Sequence, residues 1–468
     1  MITTPMISDQ QLADFASQLR GKLIQPGDAE YDEARQIWNG MINKYPALIV
    51  QCVNKEDVIT AVSFAITHNL PLSVRGGGHN VAGHATNDGG LVIDLSSMNQ
   101  VIVDPEARTV RVGGGAQLGD LDRETQKYGL AVPTGVVSET GIAGLTLGGG
   151  FGYLRNKYGL TCDNLLAANV VTANGRFLTA NATENSDLFW GIRGGGGNFG
   201  IVTEFQFKAH PVGPRVQFTA VFHDGNYMKE ALQFYRDFSE SAPDEISSIA
   251  VCGKFPPGAD AFPQELHGRP FVLFVAMHTG SVAAGERAMQ PMRDFRPPLL
   301  DLSAPTRYVD VQTFFDAEYP AGEMRYYWKS LNLTILSDEA IDRIVAHALR
   351  QPSPHSTTDL WHIGGAVTRT DEQAMAFNGR KASYLINPEA NWEHPADDEA
   401  NISWVRDFLA DLEPFSDGSR YLNFPGFQEE GEAMMRQTFA DKYDKLAALK
   451  KKYDPTNLFN RNQNIKPA

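Results

Sequence analysis

Residues 194–207 read GGGGNFGIVTEFQF. Gly195 to Gly200 satisfies G-x-G-x-x-G, the phosphate turn of a nicotinamide-dinucleotide fold. That turn has to follow a strand and open a helix, because the pyrophosphate rests on the helix N-terminus. Here the next residues alternate. Ile201, Thr203, Phe205 and Phe207 share one side and Val202, Glu204 and Gln206 the other, which predicts a strand. No strand–glycine turn–helix unit of the required kind occurs near the N-terminus either. The stretch therefore argues against a doubly wound parallel sheet.

Glycine clusters twice more upstream, in RGGGHNVAG from Arg75 to Gly83 and in LGGGFG from Leu147 to Gly152. Glycine lets another group approach the backbone closely, and consecutive N–H groups form a concavity that suits an anion. Three such clusters, each beside a predicted strand, point to a long polyanionic ligand, such as a dinucleotide, laid against main chain. The formal net charge of −15 is no objection, since backbone donors supply the local positive field. The same charge disfavours nucleic acid and anionic membrane as partners, because both reward a basic face.

Around the clusters, short apolar runs predict strands at Leu48–Val53, Leu72–Val74, Leu91–Leu95, Val101–Val103 and Thr109–Val112. Helical spacing covers Lys55–His68 and Leu118–Tyr128. From Pro214 the glycine clusters stop. Helical stretches (Tyr227–Ser241, Asp338–Leu349) then alternate with strand-like runs (Phe271–His278, Tyr327–Ile335), as in an antiparallel sheet backed by helices. Arg296–Pro305 reads as a loop, and Phe439–Tyr453 as a surface helix ended by Asp454-Pro455. The fold class is α+β. Cys52, Cys162 and Cys252 are isolated and odd in number, so neither a disulfide framework nor a cysteine-rich zinc site is written here. The N-terminus lacks signal-peptide character, and no apolar run approaches the roughly 20 residues that span a bilayer. The expectation is a cytoplasmic protein.

Taken together, RGGGHNVAG, Val136–Gly152, Lys157–Asn164 (KYGLTCDN), Arg193–Gly200 and the C-terminal YDPTNLFNRNQNIKP from Tyr453 to Pro467 resemble the berberine bridge enzyme-like flavoproteins of the vanillyl alcohol oxidase superfamily. The resemblance covers nearly the whole chain. It implies a two-part FAD-binding domain (residues 1–213 and 415–468) around an inserted substrate domain (214–414). It also implies that His79 bonds covalently to the flavin's 8-methyl carbon while the preceding glycines hold the pyrophosphate. The cofactor contacts so implied are Arg75, Gly76, Gly77, Gly78, Asn80, Val81 and Gly83 around His79. Val137, Thr140, Gly141, Gly144, Gly148, Gly149, Gly150 and Gly152 follow from the middle clusters, Gly200, Ile201 and Val202 from the third, and Asn462 and Asn464 from the C-terminus. Many members add a second bond from a cysteine. Val137 fills that slot here and Cys162 lies well beyond it, so a single link through His79 is expected. His84 beside His79 has no helical ligand spacing and reads as a loop residue rather than a zinc ligand.

The resemblance further implies hydride transfer from a small organic alcohol or amine to flavin N5, with molecular oxygen as acceptor and hydrogen peroxide as product. A dehydrogenase using another acceptor, or a flavin-binding protein without turnover, are the alternatives. The family's Tyr-x-Asn element is Tyr421-Leu422-Asn423 here, with Tyr421 as the expected base. A tyrosine of pKa about 10 needs a neighbouring cation to ionise at neutral pH, and Lys329 or Arg420 is the expected source. Tyr326 and Tyr327 are rival bases or pocket walls. Thr140, small and β-branched, matches a slot tied to oxygen access.

Overall fold

The computed structural model describes residues 7–258, 261–424 and 431–468. Leu48–Gln51 and Leu72–Arg75 flank Leu91–Asp94 and pair with it in parallel. The helix Lys55–Thr67 makes the crossover that parallel strands require. Asn54 caps that helix, its side chain accepting from Asp57 N at 2.9 Å, and Asn69 follows it in the left-handed region at φ 52°. Lys22–Ile24 adds an antiparallel fourth strand.

A second sheet is antiparallel throughout. Its order is Val101–Asp104, Thr109–Gly113, Ile201–Lys208, Leu165–Val171, Phe177–Asn181. The stretch after the third glycine cluster is thus its central strand, with Phe205 and Phe207 buried.

Arg215–Asp224 opens a third sheet, of nine antiparallel strands among the described residues, which includes Ile246–Lys254, Pro270–His278, Thr357–His362 and Tyr384–Trp392. Strand side chains alternate faces. Ala250, Leu360 and Ile386 pack under the helices Met228–Ser241, Asp338–Ala348 and Asp398–Leu412. Val251, Trp361 and Leu385 belong to the opposite face, which packs with Trp38, Val81 and Phe151 from the glycine-rich part of the chain and with Tyr421 from the C-terminal segment. The functional cavity forms against that second face. The α+β reading holds. No helix among the described residues is long and apolar enough to cross a membrane.

Three local expectations need correction. Arg296–Pro305 is not simply a loop: it contains Leu300–Asp301 and runs into Ala304–Arg307, both pairing with the edge of the large sheet. Pro305, lacking an N–H, is tolerated in such an edge strand. Tyr327–Ile335 is two strands, Arg325–Trp328 and Leu331–Leu333, interrupted where Ser330 Oγ accepts from Tyr421 N (3.0 Å) and donates to Tyr421 O (3.2 Å). The C-terminal helix starts at Tyr443 rather than Phe439, because Ala440 takes φ 47°. One face of it, with Tyr443, Leu446 and Leu449, is buried in the core under the second sheet.

On that helix Lys450 is fully buried. Its ammonium donates to Asn198 O (2.8 Å), Phe459 O (2.7 Å) and the Asp454 carboxylate (2.7 Å). It thereby ties the C-terminal segment to the third glycine cluster. Lys450→Met should leave Asp454 as an uncompensated buried charge and cost about 3–5 kcal/mol, read as a lower urea midpoint. Adding Asp454→Asn should recover part of the loss. A midpoint unmoved by the single substitution would mean that this tie contributes little.

Candidate active site

A cavity of ≈ 280 Å³ runs from the glycine clusters to the inner face of the large sheet. Its glycine end takes Gly76 to Val81, Val137, Thr140, Gly141, Gly144, Gly148, Gly200, Ile201, Val202 and Asn462. Its sheet end takes Phe315, Tyr319, Trp328, Asp359, Trp361 and Glu389, with Tyr421 and Asn423 alongside.

Two glycine turns meet backbone to backbone at one end. A Cβ on Gly77 would lie 2.5 Å from Gly141 Cα, and one on Gly141 would lie 2.3 Å from Gly77 N. Neither position admits a side chain. Gly144 and Gly197 also line the cavity, and a Cβ on either would meet nothing within 4 Å. At these positions glycine leaves room for a ligand to lie along main chain. Asn462 donates to Gly197 O and Phe459 O (both 3.1 Å) while its Oδ1, though buried, has no partner among the described residues.

His79 is enclosed at the junction of the two ends. Burial drives its pKa down to about 4, so the imidazole is neutral at physiological pH. Its buried Nε2 has no hydrogen-bond partner among the described residues. The ring stacks on Trp38 with centroids 4.1 Å apart and planes at 17°, and Trp38 stacks in turn on Tyr326 at 3.8 Å. Trp38 is itself fixed: its Nε1 donates to Tyr319 O at 2.9 Å and its N to Gly78 O at 3.2 Å. Trp38 carries no motif signal, and sequence reasoning passed over it. A neutral, rotationally clamped imidazole beside a glycine cradle fits the covalently held FAD that the resemblance implies.

At the sheet end two carboxyls stand beside the Tyr319 hydroxyl. Asp359 and Glu389 lie on one face of neighbouring strands, where Thr357 faces Glu389 and Asp359 faces Asn387. Thr357 Oγ1 donates to Asp359 Oδ1 (3.0 Å), Tyr319 O–H donates to Glu389 Oε2 (2.7 Å), and Asn387 Nδ2 donates to Glu389 Oε1. Burial pushes Asp359 up to about 7, and burial together with the Asp359 charge pushes Glu389 well above the ordinary carboxylate range. Both were missed from sequence. Each is a single acid in an apolar strand, and only the alternation Thr357, Asp359, Trp361 hinted at a common face.

Tyr421 O–H lines the same cavity and accepts from Gly150 N (3.1 Å) and Asn423 Nδ2 (2.7 Å). Burial raises its pKa above that of a free phenol despite these donors. Of the two cations expected to lower it, Arg420 is paired with Glu413 at 3.1 Å, and Lys329 is not among the residues lining the cavity. Tyr327 does not reach the cavity either. It alternates with Trp328, which does, and so faces the helices, where its hydroxyl accepts from Arg406 Nε at 3.1 Å. Tyr326 forms a second layer behind Trp38, donating to Pro320 O.

Several implied cofactor contacts also stand back from the cavity. Arg75 grips Asp94 through two bonds (2.6 and 3.1 Å) and Ala34 O and Gln36 O through its other nitrogen, shaping the loop from behind. Gly83, Gly149, Gly150 and Gly152 are needed for close packing, against Ile42, Phe377, Thr161 and Thr134 respectively. Asn464 is not a lining residue. His84, read as a loop residue, lines the cavity. Cys162 does not; it is buried against Met375, and burial raises its thiol pKa.

Comparison with known proteins follows the same division. An FAD binding domain family matches residues 46–181, and a "Berberine and berberine like" family matches residues 420–466. The chain is 32% identical to an FAD-linked oxidoreductase of Dictyostelium discoideum over 98% of this chain and 97% of that one. It is 31% identical to (R)-6-hydroxynicotine oxidase of Paenarthrobacter nicotinovorans over 96% of this chain and 97% of the relative. The crystal structure of 6-hydroxy-D-nicotine oxidase from Arthrobacter nicotinovorans superposes with a TM-score of 0.85 at 29% identity, covering 96% of this chain and 98% of the other.

The two kinds of glycine predict opposite phenotypes. Gly77→Ala should force the two turns apart, lowering both the melting temperature and the flavin content. Gly144→Ala should melt as the wild type does but load less flavin, because its methyl group enters the cavity. Equal effects of the two on melting would contradict this distinction.

Proposed function

The chain belongs to the berberine bridge enzyme-like FAD-linked oxidoreductases, and from that premise we propose that it is an oxidase, taking a hydride from a small organic alcohol or amine and delivering the electrons to molecular oxygen as hydrogen peroxide. The observation that carries this reading is the single cavity that joins His79 and the glycine cradle to the buried carboxyl pair. FAD, when bound, supplies the two-electron acceptor.

The chain's own residues divide the remaining work. The glycine clusters present backbone to the cofactor, and Trp38 holds the His79 ring for one covalent link, with Val137 rather than a thiol at the second position. The Asp359–Glu389 pair takes the substrate's proton, since a carboxylate near pKa 7 is matched to that task. Tyr421 and Asn423 fix Gly150 and the wall beside it. Thr140, which lines the cavity, leaves room for oxygen. Residues 1–213 with 415–468 form the cofactor domain and 214–414 the substrate domain, a division supported by the sheets to which they contribute. Three free, buried cysteines suit a cytoplasmic location.

Acid precipitation tests the link: the washed wild-type pellet should stay yellow, and that of His79→Ala should not. Colour lost from the wild type would remove the covalent bond from the proposal. Oxygen use is tested by reducing the flavin with dithionite without air and then admitting oxygen. Fast reoxidation with stoichiometric peroxide is expected, and persistent reduced flavin would favour the dehydrogenase alternative. The base must be ionised to accept a proton. The rate of flavin reduction should therefore fall as pH drops through about 7, the value to which burial raises Asp359, and Asp359→Asn should abolish that limb. A profile retained by Asp359→Asn and Glu389→Gln alike would return the role to another group.

A further inference from the structure

We propose that Asn39 is a positioning residue for attachment of the cofactor: its side-chain amide holds the His79 loop against the edge strand of the large sheet and so sets the orientation in which the imidazole is presented. The inference rests on the covalent-flavin reading and adds to it the residue that aligns the link across the two domains.

Asn39 is fully buried and follows the Trp38 that stacks on His79. Its Nδ2 donates to Val81 O at 2.7 Å, in the His79 loop, and to Tyr326 O at 2.9 Å. Its Oδ1 accepts from Met41 N at 3.0 Å and from Tyr326 N at 3.2 Å. Tyr326 belongs to Arg325–Trp328, the last strand in the path of the large sheet, which pairs with Tyr384–Trp392 alone among the described residues. On the open side of that strand Asn39 exchanges both backbone bonds with Tyr326, as a neighbouring strand would. Gly40 N adds a bond to Met324 O at 3.0 Å. The sheet edge is thus covered by the same group that grips the His79 loop. An aspartate of the same shape would turn both donors into acceptors facing carbonyls, and a glutamine would carry the amide one methylene farther.

Trp38 depends on the same spacing. Its ring lies between His79, at 4.1 Å, and Tyr326, at 3.8 Å, so the outer members of the stack come from the two sides that Asn39 joins. Its backbone is likewise shared, its N donating to Gly78 O and its O accepting from Gly322 N at 2.8 Å. With the amide in place the indole fits flat between the two rings and the imidazole cannot turn. Attachment needs that fixed orientation. As the C–N bond forms, the imidazole gives up its N–H proton and the flavin's 8-methyl carbon gives up a C–H proton. The two electrons left behind reduce the flavin, and molecular oxygen takes them up as hydrogen peroxide.

The test uses full-length wild type, Asn39→Ala and Trp190→Phe, each produced with limiting riboflavin so that empty sites remain, and then incubated with excess FAD in air. Total bound flavin is read by absorbance, and linked flavin by the colour kept in acid-washed precipitate over time. Trp190→Phe is the control: it removes a bond between the same two domains, Trp190 Nε1 to Gln373 O at 2.9 Å, that does not involve the His79 loop. In Asn39→Ala linked flavin should form at least ~10-fold more slowly at undiminished total flavin, since an ångström of misplacement costs up to ~100-fold. The control should keep the wild-type rate. Should Asn39→Ala not fold, Asn39→Ser is read in its place with the same outcomes. Linkage at the wild-type rate in the Asn39 variant, or loss of total flavin with the linked share unchanged, would overturn the proposal. Equal slowing in Trp190→Phe would also overturn it, by assigning the alignment to domain docking at large. A wild type that binds FAD and never links it would instead overturn the covalent-flavin reading, and this proposal with it.

Discussion

The contact between Gly77 and Gly141 is the constraint on which the site depends. Two turns from different parts of the chain meet with main chain against main chain, at a separation no Cβ tolerates. One turn leads directly into His79. The other opens the helix Ile142–Leu147, whose neighbourhood includes Val137 and Thr140. Separating the turns would move the imidazole and the opposite wall independently. Keeping them in contact makes one rigid rim from two segments, and Trp38 braces it by bonding to Gly78 O while stacking on His79.

Much of this half was legible in the sequence, because glycine announces itself. A residue that is needed only for its missing side chain cannot be disguised by a conservative alternative, and runs of it beside predicted strands have few structural explanations. The alternation after Gly200 was equally plain, and it placed the cluster before a strand rather than a helix. The glycines still did not reveal their separate duties. Gly144 and Gly197 face the cavity, whereas Gly149, Gly150 and Gly152 yield to neighbouring side chains and main chain. A sequence shows the absence of a side chain but not what occupies the space.

The substrate half was less legible for a physical reason. Its chemistry sits on antiparallel strands, where function is carried by every second residue of segments distant in sequence. Asp359 and Glu389 meet only because Thr357–His362 pairs with Tyr384–Trp392 in one register, and a slip of one residue would put the two acids on opposite faces of the sheet. The same alternation separates Trp328, in the cavity, from Tyr327, which is packed beneath the helices. The RYYWKS stretch drew attention through its composition, but only the register distinguishes its walls from its core.

Tyr421 shows how hydrogen-bond accounting revises a role inferred from a motif. Its oxygen already accepts from Gly150 N and Asn423 Nδ2. These donors favour the phenolate, yet burial outweighs them and keeps the group a phenol at neutral pH. A phenol oxygen with both acceptor positions engaged has one remaining capacity, to donate its own proton. Tyr421 is thereby suited to orient a ligand acceptor rather than to remove a proton. The carboxyl pair is the complementary case, with acceptor oxygens in excess of its donors. The two groups face one space with opposite hydrogen-bonding needs. A molecule that both donates and accepts satisfies them in a single orientation.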